Sequence, residues 1–378
     1  MASKVYFSDL RVPVGKSLLT KFKELLIAAG IKEIDFAHKY AAIKVHFGEP
    51  GNVSYLRPNY AKVVADLVAE LGGRPFLTDC NTLYVGRRKN ALDHISSAYE
   101  NGFTPFSTGC HVLIGDGLKG TDEVRIPIPG AELLEEARIG RAIMDADVFI
   151  SLNHFKGHEC TGFGGALKNI GMGCGSRAGK MAMHSSGKAA ADPDVCINCE
   201  ECATVCAHDA QSFDTGVCII DPEKCVGCGR CLGVCPVDAI YAPEGSANDL
   251  LNKKVAEYTK AVLHSRPHFH ISLVMNVSPF CDCHDGNDAP IVPDIGLFAS
   301  FDPVALDVAC ADAVNAQQPF PNSYLGEAAQ THGDHFTDMF PDTSWRIGVE
   351  HAEKIGVGTA EERQNTFLDM MHIALTIA

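Results

Sequence analysis

Nowhere in the 378 residues do eighteen apolar residues run together, so no transmembrane helix is expected. The opening stretch, Met1 to Asp9, lacks the apolar segment of a secretory signal peptide. A phosphate-binding P-loop is missing too. Gly15-Lys16-Ser17 looks like the end of one, but the earlier glycine it requires falls on Leu10. Basic residues are scarce: 32 Lys and Arg stand against 47 Asp and Glu, a formal net charge of −15. The shortage is sharpest between positions 192 and 245, where ten acids face only Lys224 and Arg230. A surface of that sign repels nucleic acid and anionic lipid, so neither is expected as a partner. Cysteine, by contrast, is abundant, with sixteen in the chain. Without a secretion signal these point to metal and thiol chemistry in a reducing cytoplasm.

Eight of the cysteines form a repeated pattern. Cys196, Cys199, Cys202 and Cys206 follow the spacing C-x₂-C-x₂-C-x₃-C, and Cys225, Cys228, Cys231 and Cys235 repeat it 29 residues later. Asp192-Pro193 recurs as Asp221-Pro222, and Asp209-Ala210 as Asp238-Ala239. Self-similarity of this kind marks a duplicated unit. Zinc usually takes a paired C-x₂₋₄-C arrangement, not two triplets each with a trailing fourth. Thiolates at this spacing hold [4Fe–4S] cubanes, and the fourth cysteine of each run reaches the other cluster. One cluster is therefore expected on Cys196, Cys199, Cys202 and Cys235, and a second on Cys225, Cys228, Cys231 and Cys206. The stretch resembles the bacterial two-cluster ferredoxin module. It departs from that family at Ala207, where proline is usual. An acidic module of this kind suits docking to a basic patch on a redox partner protein.

Such a module takes only about 50 residues, so the remainder must fold as a domain of its own. Residues 16–29 carry a helical period that stops at Gly30. Ala41 to Phe47 reads as a strand, Pro58 to Gly72-Gly73 as a helix, and Pro75 to Asp79 as a strand with its exit loop over 81–88. A helix over 88–100, a strand from His111 to Ile114, a helix over 131–145 and a strand from Asp147 to Leu152 follow. Residues 153–180 are polar and glycine-rich and read as a loop. Beyond the cysteines, the pattern resumes with a helix over 247–264, strands His270 to Val277 and Ile295 to Ser300, and a helix starting at Asp302-Pro303. Strand–loop–helix alternation is the pattern of an α/β fold with a mostly parallel sheet. The expected organisation is an α/β domain split into residues 1–190 and 246–378, with the ferredoxin-like module inserted at 191–245.

Several segments look familiar in order: Lys44-Val45-His46-Phe47-Gly48-Glu49-Pro50-Gly51-Asn52, Thr78-Asp79-Cys80-Asn81-Thr82-Leu83-Tyr84, and His154-Phe155-Lys156-Gly157-His158-Glu159. Gly164 to Gly173 and Cys281-Asp282-Cys283 continue the series. Together they resemble a prokaryotic family catalogued only as a domain of unknown function, number three hundred and sixty-two of that series. Its members often carry a ferredoxin module, and the resemblance implies no activity.

In open parallel sheets, ligands bind beyond the carboxyl ends of the strands. His46, Glu49, Asp79, His154 and His158 sit at such ends, and helix caps do not call for histidine. Asp116 and Asn276 read instead as turn or cap residues. With Lys168, the first five are the candidate catalytic site. Gly162-x-Gly164-Gly165 is not a proper dinucleotide fingerprint, since Leu167 takes the final glycine position. Gly164 and Gly165 with Lys156 and Arg177 are candidates to cradle an anion, such as an anionic substrate or a flavin phosphate. Cys281 and Cys283, with Cys160 and Cys174 from the glycine-rich loop, are candidates for a third metal or redox site. Cys80, Cys110, Cys218 and Cys310 read as buried small hydrophobes. The function expected is an iron–sulfur oxidoreductase passing low-potential electrons through two clusters to the α/β site, with His154 or His158 as proton donor. The alternative is a non-enzymatic electron carrier or a metal or cluster donor.

Overall fold

A computed structural model describes residues 3–83, 86–184, 188–243, 248–327 and 333–361. Tyr84 and Val85 of the expected exit loop, Glu244 and the expected boundary at 245–246 lie outside the described residues. The chain opens with β1 (Tyr6–Asp9), α1 (Leu18–Ala28), β2 (Tyr40–Lys44), α2 (Pro58–Glu70), β3 (Arg74–Asp79), α3 (Ala91–Glu100), α4 (Pro105–Thr108) and β4 (His111–Ile114). Next come β5 (Glu123–Pro127), β6 (Glu136–Gly140), α5 (Arg141–Met144), β7 (Val148–His154), β8 (Lys156–His158), β9 (Gly162–Gly164), α6 (Ala166–Cys174) and α7 (Arg177–His184). Residues 188–243 hold β10 (Ala190–Ala191), α8 (Glu201–Thr204), β11 (Gln211–Ser212), β12 (Ile219–Ile220), α9 (Arg230–Val234) and β13 (Ile240–Tyr241). The chain then continues through α10 (Asn248–Leu263), β14 (His268–Val274), β15 (Gly296–Ser300), α11 (Pro303–Asn315), α12 (Tyr324–Glu327), α13 (His335–Met339) and α14 (Trp345–Lys354).

Seven strands form one sheet in the order β1-β15-β14-β7-β2-β3-β4. From β14 to β4 every pairing is parallel. β15 runs antiparallel to β14, and β1 antiparallel to β15. The fold is mixed α/β with a mostly parallel central sheet. Helices cover both faces of the central strands, so β2, β7 and β14 are buried almost throughout. Phe22, Leu25, Val64 and Val68 from α1 and α2 pack on Ile43, Ile150 and Ile271. Ile170 of α6, with Val255 and Tyr258 of α10 and Leu306 of α11, packs with Ala42, Phe149 and Phe298 in the other core. Local signals set the helix starts: Ser17, Asn90 and Asp302 cap α1, α3 and α11, and proline fills the first turn of α2 and α11.

Two stretches depart from the sequence reading. Residues 131–145 are not a helix: β6 pairs antiparallel with β5 from Glu123↔Gly140 to Pro127↔Glu136, and one helical turn follows. Ala137, Ile139 and Ile143 are buried and mimic a helical stripe, but the first two alternate along a strand. The stretch 153–180 is not a loop. It is a short hairpin of β8 on β9 followed by two helices. Glycine in α6 lowers its intrinsic helicity, and tertiary packing overrides that. A Cβ on Gly171 would collide with the Val255 carbonyl of α10, and one on Gly173 would stand 2.5 Å from Lys44 Cε.

Residues 188–243 form a small unit with two two-stranded ribbons, β10 on β13 and β11 on β12. Its core contains Cys202, Cys218, Cys231, Leu232 and Ile240, together with Leu83 and Met181 from the larger domain. The 29-residue repeat is visible in the backbone. Asn198, Glu200 and Asp209 adopt left-handed φ, and so do their counterparts Gly227, Gly229 and Asp238. Among the described residues, no helix is long and apolar enough to cross a membrane.

Candidate functional site

Chain order reverses between β2 and β7. β2 leads outward to β3 and β4, whereas its other neighbour, β7, leads to β14. The carboxyl ends diverge at such a point and leave a crevice. Here it is a cavity of about 510 Å³ lined by Lys44 at the end of β2 and His46 just beyond it, Asp79 at the end of β3, Lys156 and His158 of β8, Lys168 and Asn169 of α6, and Cys283 beyond β14. Ala242, Pro243 and Leu83 close another part of its wall, so the cavity abuts the cysteine-rich unit.

Five cations, Lys44, Arg88, Lys156, Lys168 and Lys180, line this cavity against two carboxylates, Asp79 and Glu159. Lys44 is fully buried. Its Nζ lies 3.0 Å from Asp79 Oδ1 and donates to Asn169 Oδ1 at 2.7 Å. Burial opposes the charge on Asp79, yet Lys44 and His94 hold its carboxyl far below the usual range. Arg88 Nε meets Glu49 Oε2 at 2.5 Å, and its Nη1 lies 3.0 Å from His46 Nε2. Burial and the Arg88 charge keep His46 neutral, well below its ordinary pKa. His184, also on the wall, is pushed down to about 3 by burial. Burial opposes the charge on Glu159, but His158 and His284 bring it down to about 2.

The turn after β14 carries the densest chemistry. Asp282 is fully buried and accepts from His154 Nδ1 at 2.9 Å, with Lys156 Nζ 3.3 Å away. Its backbone carbonyl receives the Glu49 N–H at 2.9 Å. These contacts pin the cysteines on either side of it. Cys281 is buried, and Lys168 Nζ donates to its Sγ at 3.0 Å. The Cys283 backbone N–H points at the same sulfur at 3.4 Å. Burial disfavours a thiolate at Cys281, but Cys283, Lys168, Lys156 and His158 outweigh it and hold the thiol well below its usual range. The Cys283 thiol moves up instead, through its hydrogen bond to Cys281 and through burial. His158, Cys281 and Cys283 present ligand atoms within 4.8 Å of one another, as do His158, Glu159 and Cys160, and either set has donors that suit a metal ion.

The remaining candidates separate. Cys174 is buried at the end of α6, takes the Cys80 thiol on its carbonyl at 3.4 Å, and is pushed up to about 12 by burial. It does not belong to the Cys281–Cys283 grouping. Gly164 and Gly165 do not offer an open anion cradle. The first N–H groups of α6, from Ala166 and Leu167, donate to Asp307 at 2.6 and 2.9 Å. A Cβ on Gly165 would collide with that carboxylate. Arg177 does not line the cavity. Its guanidinium donates to the Lys89 carbonyl and lies against Gly229 and Gly233 of the cysteine-rich unit. Both ring nitrogens of His154 already face oxygen, Asp282 on one side and the Met275 carbonyl at 3.0 Å on the other. Lys44, Arg88 and Asp282 escaped the sequence reading, whereas Lys180 stood with Lys156 and Lys168 in the glycine-rich stretch and does line the cavity. A lysine closing an apolar strand was the visible sign for Lys44, and Asp282 stood between the two cysteines.

In the small unit the thiols gather into two nests. Cys196, Cys199, Cys202 and Cys235 surround one cavity, and Cys206, Cys225, Cys228 and Cys231 the other. Each set of three borrows its fourth thiol from the other half of the repeat. Cys218 is buried as expected, but it lies 3.6 Å from Cys202 at the first nest and donates its N–H to Cys196 Sγ.

Two solved structures show distant likeness. The lactate racemase apoprotein from Thermoanaerobacterium thermosaccharolyticum is 12% identical, with 71% of this chain and 50% of that one aligned at a TM-score of 0.32. A protein from Thermotoga maritima is also 12% identical, with 78% and 58% aligned at a TM-score of 0.39. The chain thus spans 50 and 58% of the lengths of these two structures. No curated protein matches the sequence. The profile described as Domain of unknown function (DUF362) matches residues 41–312, and the chain belongs to that family.

Proposed function

We propose that this chain is an iron–sulfur oxidoreductase that delivers low-potential electrons to an anionic acceptor held in the cavity. The observation that carries the reading is the pair of four-thiol nests with exchanged fourth ligands, placed beside that cavity. Cys196, Cys199, Cys202 and Cys235 would hold one [4Fe–4S] cluster, and Cys225, Cys228, Cys231 and Cys206 the other. Four thiolates per site suit the group, and the repeated left-handed turns at 198, 200, 227 and 229 wrap the chain tightly around each nest. Bound clusters supply one-electron redox chemistry.

The rest of the work falls to the cavity. Its excess of cationic side chains suits an anionic ligand. Lys44 is held in place by Asp79 and Asn169, so its charge is preorganised rather than mobile. His158 is the better proton donor than His154, because it faces the cavity while both nitrogens of His154 are engaged. The Cys160 N–H donates to His158 Nδ1 at 3.1 Å, which leaves Nε2 to carry the proton of the neutral ring.

The test is turnover. Anaerobically reconstituted protein, reduced with dithionite and mixed with small anionic two-electron acceptors, should be reoxidised by at least one with stoichiometric product. His158→Gln should slow that step while leaving the cluster spectra unchanged. Reversible cluster redox with no consumption of any small molecule would establish an electron carrier instead.

A further inference from the structure

The proposed function leaves one arrangement unused. Two N–H groups converge on a single buried sulfur, Cys281 Sγ: Lys168 Nζ at 3.0 Å and the Cys283 backbone N–H at 3.4 Å. A His158 ring nitrogen and the two cysteine sulfurs lie within 4.8 Å of one another. Hydrogen bonds from a cation and from N–H groups stabilise a thiolate over a thiol. The second thiol, Cys283, lies two residues along the same turn and lines the cavity, whereas Cys281 is wholly buried. Asp282 between them is held by His154, Lys156 and the Glu49 N–H, so the turn keeps the sulfurs close.

We infer that Cys281 and Cys283 are a redox-active pair cycling between dithiol and disulfide at the wall of the cavity. In the reduced state Cys281 is a thiolate and Cys283 a thiol. Oxidation forms the Sγ–Sγ bond, releases the Cys283 proton and gives up two electrons. Reduction takes two electrons from low-potential one-electron donors and one proton, and breaks that bond. In the protein those donors are the clusters of the proposed function, on which this part of the inference rests. The pair would then collect single electrons and present them two at a time to the cavity, which Cys283 lines. Lys168 is a positioning residue here: by stabilising the reduced thiolate it makes the disulfide more oxidising.

The experiment is a reductive titration of anaerobically reconstituted protein that has first been oxidised with diamide. Wild type is compared with Cys281→Ser/Cys283→Ser and with the milder Cys283→Ser alone. Wild type should take about two electrons more per chain than either variant, a disulfide being a two-electron couple. The peptide carrying Cys281 and Cys283 should gain two alkylatable thiols on reduction. The comparison is a difference, so it stands whether or not the clusters assemble; their failure would appear separately in the iron count and EPR signal. Lys168→Gln should shift the dithiol–disulfide equilibrium in a glutathione buffer at least tenfold toward disulfide. Equal electron uptake in wild type and both variants would overturn the inference. So would a stoichiometric metal ion that wild type holds, the double variant loses, and that blocks oxidation of the pair.

Discussion

Asp79→Asn should destabilise the α/β domain severely, and the reason lies in Lys44. That side chain is fully buried, with the Asp79 carboxylate 3.0 Å away and the Asn169 amide oxygen at 2.7 Å. Removing the carboxylate strands a cation that cannot reach water. Breaking a buried pair from one side costs about 3–5 kcal/mol. Asn169 remains as a neutral acceptor, so the loss should be about 3 kcal/mol, equivalent to roughly 4–5 °C in the melting temperature of a domain this large. Trp345 is the only tryptophan and is buried in the larger domain, so its fluorescence during urea unfolding follows this domain rather than the cysteine-rich unit. Replacing both partners, Lys44→Met with Asp79→Leu, should recover most of the stability. The pH dependence has a definite sign. The folded carboxyl titrates below its unfolded value, which is near 3.9. Its contribution is therefore complete above that value and is lost as pH falls through the folded one. The gap between wild type and Asp79→Asn should be constant from pH 7 to about pH 5 and should narrow below about pH 4. A gap under about 0.5 kcal/mol at pH 7, or one that does not narrow in acid, would refute the buried pair.

Three further outcomes follow from the same geometry. Gly165→Ala should destabilise by about 1–3 kcal/mol in thermal melts, because the new Cβ meets the Asp307 carboxylate that caps α6; an unchanged melt would mean that the cap is not tight. Cys235→Ser should alter the same EPR signal as Cys196→Ser, and Cys206→Ser the same signal as Cys225→Ser, because the nests exchange their fourth thiols. Matching by sequence run instead would disprove the exchange. Electron transfer to a basic protein partner should slow as salt rises, given ten acids against two bases between 192 and 245; rates independent of ionic strength would exclude electrostatic docking.

How far the sequence could be read depended on whether the signal was local. The cysteine repeat needs only spacing, and the two nests follow from it. The C-x-C turn and the polar strand ends were visible because hydrophobic runs stop there. Strand direction was not visible: β15 looks like any other buried strand, and only its pairing shows it to be antiparallel. The α6 helix was hidden because its glycines serve partners far away in sequence, Val255 and Lys44. Asp307 closes the α6 N-terminus from 140 residues further on, so the apparent anion loop could not be recognised as already filled. Of the cavity's five cations, Lys156, Lys168 and Lys180 lie within the glycine-rich stretch, while Lys44 and Arg88 come from two other segments, so only part of its cationic character was legible in one place.

Metal and sulfide analysis of anaerobically reconstituted protein, read together with EPR of the reduced state, decides whether the two thiol nests hold [4Fe–4S] clusters. About eight iron and eight sulfide per chain and two interacting cluster signals are expected. One cluster per chain, or stoichiometric zinc at these eight cysteines, would contradict that expectation.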